Sequence, residues 1–124
     1  MIEIRRLDRA NLSKAFGLDS ERLLPWSALN APFEGAWCVL RAGDASTPHS
    51  HHEYELFIAM TGRAALVVDG ERREFVAGDL VHLPPGSTHH LVNDHAGDFE
   101  YYGIWWDTDM SAQFTVRHDE QAQP

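Results

Sequence analysis

The chain has 124 residues, 44% of them hydrophobic, and a formal charge of −9 with a pI near 5.2. That length suits one domain with one core rather than two, and that charge makes nucleic acid and anionic membrane surfaces poor partners. No apolar run approaches a membrane span or makes the first sixteen residues a secretory signal, and the single cysteine, Cys38, has no internal disulfide partner, so a cytoplasmic protein in a reducing compartment is expected.

In chain order, the alternation of Ile2, Glu3 and Ile4 predicts a short strand over residues 2–5. Asp8 to Phe16 reads as a helical turn or two capped by Asp8, and Ser20 to Leu24 as a second helical piece stopped by Pro25. Residues 25–35 are turn-rich. From Ala36 the pattern becomes all-β. Strands are expected around Trp37–Arg41, Glu55–Met60, Ala64–Val68, Arg72–Val76, Leu80–Leu83, His89–Val92 and Phe99–Trp106, with a last edge at Phe114–Arg117. Asp69-Gly70 is a two-residue hairpin signal, and Pro84-Pro85-Gly86 breaks a strand. Short strands at this spacing predict an all-β, double-sheet jelly-roll barrel. One domain over 1–124 follows: a strand and helical arm over 1–33, the barrel over 34–117 and a frayed tail over 118–124.

Polar, metal-liking side chains interrupt these strands in two blocks. His49 and His51 alternate with Ser50, so on an extended backbone both imidazoles project from one side, and Glu55 shares their parity. His89 follows the Pro-Pro-Gly turn. Inward polar groups in a barrel cost several kcal/mol if left unpaired. A shared divalent transition metal removes that cost, and three imidazoles with one carboxylate are a suitable ligand set.

The first block, G-x5-H-x-H-x3-E-x6-G, is filled by Gly43, His49, His51, Glu55 and Gly62. The second, G-x5-P-x-G-x2-H-x3-N, is filled by Gly78, Pro84, Gly86, His89 and Asn93. Together they resemble the paired signature motifs of the cupin superfamily, tightly over 43–93 and loosely over 33–107. The resemblance implies a double-stranded β-helix holding one ion of iron, manganese, nickel or zinc on His49, His51, Glu55 and His89. It also implies a homodimer. It leaves the reaction open, because one fold hosts many chemistries.

Around the ligands, His52 and His90 have the opposite parity and are expected on the other face. Glu53 shares the ligand parity and could compete with Glu55 for the ion. The family spacing favours Glu55, which leaves Glu53 at the rim or behind the ligands. Glu53 and Tyr102 are the candidate catalytic residues, with His52 and Tyr101 as other sources of a base. The substrate pocket is expected to be lined by Trp37, Val39, Arg41 and Phe57, and on the last strand by Tyr102, Ile104 and Trp106 or, in the other phase, Tyr101, Gly103 and Trp105. Arg41, if inward, would meet a substrate carboxylate. Asn93 is expected to hold a turn.

Two functional classes remain. One is a metal-dependent enzyme on a small organic molecule in secondary metabolism: a dioxygenase, a cyclase or isomerase, or a Lewis-acid catalyst. A variant of it resembles the zinc cupins of hydrazine-forming enzymes, which handle an aminoacyl ester. The other is a sensor that binds a small ligand without chemistry. A complete ligand set favours the enzyme.

Overall fold

The structure, a computed structural model, describes residues 2–29 and 31–113. Nine strands form two antiparallel sheets among the described residues. They are β1 (Ser13–Ala15), β2 (Leu18–Arg22), β3 (Glu34–Leu40), β4 (Tyr54–Thr61), β5 (Arg63–Val68), β6 (Glu71–Val76), β7 (Leu80–Leu83), β8 (His89–Val92) and β9 (Phe99–Trp106). The larger sheet has the order β1-β2-β3-β9-β4-β7, the smaller β6-β5-β8. Residues 108–113 are helical. The expected edge at Phe114–Arg117 and the tail from His118 lie outside the described residues.

The core fills the space between the inner faces of the two sheets. Leu40, Phe57, Leu83, Phe99 and Tyr101 of the larger sheet meet Ala64, Leu66, Phe75 and Leu91 of the smaller. Aromatic contacts run through it from Phe75 to Phe99 (5.8 Å between centroids), to Tyr101 (5.7 Å), to Phe57 (4.6 Å) and to His89 (5.9 Å). One end of the barrel is therefore closed by packing, and the other carries the polar residues.

Turn chemistry fixes the register. Val68 pairs with Glu71 across Asp69-Gly70, whose φ values of 49° and 84° match the twist of a tight hairpin. The fifteen-residue spacer between the two motifs is this β5–β6 hairpin. Gly62 turns β4 into β5 at φ 78°, and a Cβ there would stand 2.5 Å from the Asp98 carbonyl oxygen. Only glycine fits both the conformation and the space.

The N-terminal third departs from expectation. Residues 2–5 form no strand, and the helical stretch shrinks to one 3-10 turn, Arg9–Asn11, with the Asp8 carboxylate accepting the Ala10 amide at 2.9 Å. Ser20 to Leu24 is not helical: Ser20, Glu21 and Arg22 pair with Cys38, Trp37 and Ala36. Backbone pairing to a buried strand outweighs the weak helical preference of Ser-Glu-Arg-Leu-Leu. The barrel therefore begins at Ser13, and β1 and β2 extend the larger sheet at one edge. Between them lies a two-residue turn, Phe16-Gly17, with φ values of 52° and 77°.

Candidate metal centre

His49 and His89 form an isolated antiparallel bridge, exchanging backbone hydrogen bonds of 3.2 and 3.0 Å. This ties the first motif to β8. His51 follows two residues later, and the Gly86 amide donates to its carbonyl at 2.9 Å. Glu55 is the second residue of β4, inward and 7% exposed. Among the described residues, one ligand atom from each of His49, His51, Glu55 and His89 lies within 4.8 Å of the others.

The orientation of the rings is set by the backbone. His49 Nδ1 lies 3.0 Å from the Thr47 carbonyl, His51 Nδ1 3.1 Å from the Glu53 carbonyl and His89 Nδ1 3.3 Å from the Ser87 carbonyl. Carbonyls only accept, so Nδ1 is the donor in each of these contacts, and in a neutral ring that arrangement turns Nε2 toward a metal as its ligand atom. His51 Nε2 is hydrogen-bonded to a Glu55 oxygen at 3.3 Å, and His89 Nε2 lies 3.0 Å from the same oxygen. His89 is 2% exposed, and its Nε2 makes no hydrogen bond of acceptable geometry despite that short distance. A buried ring nitrogen left without a hydrogen bond is costly unless a cation lies against it. The donor set fits a divalent transition ion.

Beside the ligands a cavity of about 360 Å³ opens to solvent. Its origin can be read in the register. Across the inner face of the larger sheet, Arg22 stands beside Ala36, Ala36 beside Gly103, and Gly103 beside Phe57. The two central positions have almost no side chain, so a trough remains between Arg22 and Phe57. Cys38, Tyr101, Trp105 and Leu18 line it further, and Phe16, on the tip of the β1–β2 turn, reaches its mouth with its ring 5.2 Å from that of His49. The Thr47 amide holds that tip by donating to the Phe16 carbonyl at 2.8 Å.

Of the expected pocket residues, Phe57 and the second-phase set Tyr101, Gly103 and Trp105 line the cavity, while Trp37, Val39, Arg41, Tyr102, Ile104 and Trp106 do not. Trp37 and Val39 are buried on the opposite face of β3, because Ala36 and Cys38 take the inner positions. Tyr102, Ile104 and Trp106 likewise face away, and Tyr101, Gly103 and Trp105 face in. This also moves Tyr102 out of reach as a catalytic group. Arg41 is taken up in ion pairs, 2.7 Å from Asp19 and 3.2 Å from Asp98. Arg41 holds the Asp19 carboxyl below its ordinary range, and Arg9, with Arg41, does the same for Asp98. Arg41 therefore cannot serve a substrate carboxylate.

Glu53 is half-buried in the cavity wall, 3.7 Å from His51 Nδ1 and 3.2 Å from His52 Nδ1. His52 points outward, three-quarters exposed. Tyr101 is fully buried against Cys38. Burial raises its hydroxyl well above the ordinary range and pushes the Cys38 thiol up to about 12, so both stay protonated. Asn93 holds a turn as expected: its amide nitrogen donates to the carbonyls of Leu40 at 3.0 Å and Gly97 at 2.9 Å, and its oxygen accepts the His95 amide at 3.1 Å.

Comparison with known proteins agrees with this geometry. The Cupin domain family model matches residues 36–106. A Cupin 2 conserved barrel domain protein from Salinispora arenicola CNS-205 is 56% identical over 95% of this chain and 99% of its own, with a TM-score of 0.86. The plu4264 protein from Photorhabdus luminescens is 42% identical over 96% of this chain and 99% of its own, with a TM-score of 0.85. The polyketide cyclase RemF from Streptomyces resistomycificus shares the fold, with a TM-score of 0.68 at 16% identity over 83% of this chain and 79% of its own. With both motifs filled, their histidines and carboxylate gathered at the open end of a two-sheet barrel, and a family model covering more than half its length, this chain belongs to the cupin superfamily.

Proposed function

We propose that the chain is a metal-dependent cupin enzyme acting on a small organic molecule. The observation that carries this reading is the convergence of three imidazoles and a carboxylate at the wall of an open cavity, with each Nδ1 engaged by a backbone carbonyl. His49, His51, Glu55 and His89 hold the ion. A bound divalent ion of iron, manganese, nickel or zinc supplies Lewis acidity, and iron adds dioxygen chemistry. Glu53 is the residue we assign as proton acceptor, since it is the cavity-lining carboxylate outside the ligand set. Leu18, Phe57 and Trp105 give the substrate apolar walls and limit water. The reaction falls among oxygenation, cyclisation or isomerisation, and Lewis-acid rearrangement. The setting we assign is secondary metabolism in the cytoplasm, and genes neighbouring this one test it.

The test is elemental analysis joined to turnover. The wild-type protein is expected to keep about one ion per chain through gel filtration, and His49→Ala to lose both the ion and activity. A protein that retains no stoichiometric metal, and whose His49→Ala variant binds small ligands as before, is a binding module instead.

The homodimer belongs to the same reading. Ile58, Met60 and Leu80 leave 38%, 37% and 64% of their surface exposed, with Ile58 and Leu80 paired on the outer face of β4 and β7. An apolar sheet face of this kind suits a second copy. Sedimentation equilibrium should give twice the 14.0 kDa chain mass, and Leu80→Glu should shift it to the monomer. A wild-type monomer at all concentrations removes this part.

A further inference from the structure

The cavity has a second polar end. Among the described residues, Arg22, the last residue of β2, is the only lysine or arginine lining it. Its guanidinium carbon stands 5.5 Å from the centroid of the Trp105 ring. In a chain of charge −9, arginine is rarely left without a carboxylate. Of the eight described arginines, Arg5, Arg9, Arg41, Arg63, Arg72 and Arg73 have one, and Arg6 and Arg22 do not; of those two, Arg22 lines the cavity. Arg22 has none among the described residues, although Glu53 and Glu55 line the same cavity. Its backbone is fixed as well, because its carbonyl accepts from the Arg5 guanidinium at 3.0 Å. Stacking on an indole occupies the face of a guanidinium and leaves its N–H edge free, and that edge matches a planar carboxylate with two parallel hydrogen bonds.

We infer that the cavity takes an organic carboxylate whose anionic end is bound by Arg22 over Trp105, while its other end meets the four-ligand cluster. This rests on the metal reading above, since the cluster is taken as the reactive end. Trp105 lies beside Glu55 in the sheet register, so one to two strand spacings, roughly 5–10 Å, separate the anion site from the ligands. The Ala36 and Gly103 trough between them takes a flat apolar body. A singly charged group suits the site better than a dianion, because two carboxylates share the cavity.

The test uses two rigid probes on the full-length protein loaded with Zn(II), 4-(hydroxycarbamoyl)benzoate and its carboxamide counterpart. The hydroxamate of each addresses the ion, and only the first carries a carboxylate at the far end. The acid is expected to bind about tenfold more tightly than the carboxamide and to shift the Arg22 Nε–Hε resonance. Arg22→Gln should bring the two affinities together while leaving that of the carboxamide unchanged. Arg22→Lys should keep a few-fold preference, since it retains the charge and loses the fork. Equal binding of the two probes to wild type, or a preference that survives Arg22→Gln, overturns the inference. Failure of the metal reading has a different signature: both probes weaken together, and their ratio still follows Arg22.

Discussion

Loading the chelator-treated protein with Ni(II) or Zn(II) at a hundred times the dissociation constant raises its thermal midpoint by about 10 °C. Binding to the folded state alone at that ratio contributes about 2.7 kcal/mol, and for a domain of this size each kcal/mol moves the midpoint by about 4 °C. The ion is confined to the folded state because its ligands come from positions 49, 51, 55 and 89, which meet only once β4 and β8 are in place. His89→Ala should remove most of the shift and weaken the ion by at least about a hundredfold, since even groups behind a ligand are commonly worth ten- to a hundredfold. Calorimetry with and without the ion reads both effects. A shift of equal size in His89→Ala would place the ion elsewhere.

Asn93→Ala is expected to cost about 3 kcal/mol of stability. The side chain is fully buried and makes three hydrogen bonds, to the Leu40 and Gly97 carbonyls and from the His95 amide. Each bond contributes about 1 kcal/mol, and the partners left behind are themselves partly desolvated. The turn it holds also carries a backbone pair, with the Gly43 amide donating to the Asn93 carbonyl and the Asn93 amide to the Asp44 carbonyl, both at 2.8 Å. Asn93→Asp should be no better, because it sets a carboxylate against two carbonyl oxygens. Denaturant unfolding measures the loss, and a change below about 1 kcal/mol would deny the side chain this role.

The His/Glu cluster was legible in the chain because its residues fill two spaced motifs that resemble the cupin signature; parity alone left Glu53 beside Glu55, and residues 50–53 are not strand in the structure. His49, His51 and Glu55 share parity, and the Pro84-Gly86 turn returns the chain so that His89 faces them. The Asp69-Gly70 hairpin was legible for a similar local reason. Parity failed where the pattern has no phase. Residues 99–106 place aromatic or aliphatic groups at most positions of both parities, so hydrophobicity cannot say which set faces in. The usable signal was Gly103. A Cβ there would be 3.4 Å from the Phe57 ring, so its parity marks the crowded inner face and, with it, Tyr101 and Trp105. In β3 the run Ala36 to Leu40 is apolar throughout, and the small residues Ala36 and Cys38, not Trp37 and Val39, border the open space. Arg22 was hidden because its segment resembles a helix in isolation, and only pairing with β3 makes it a strand. Phe16 was hidden because a bulky residue seldom occupies a left-handed turn position. Its φ of 52° is maintained by packing of the turn against residues 45–47.

The most direct test of the shared cation is an anomalous difference map from crystals grown with Zn(II) and measured on both sides of its absorption edge. One peak is predicted, about 2.0–2.2 Å from Nε2 of His49, His51 and His89 and from a Glu55 oxygen. A peak away from these side chains, or none at saturating ion, would contradict the account.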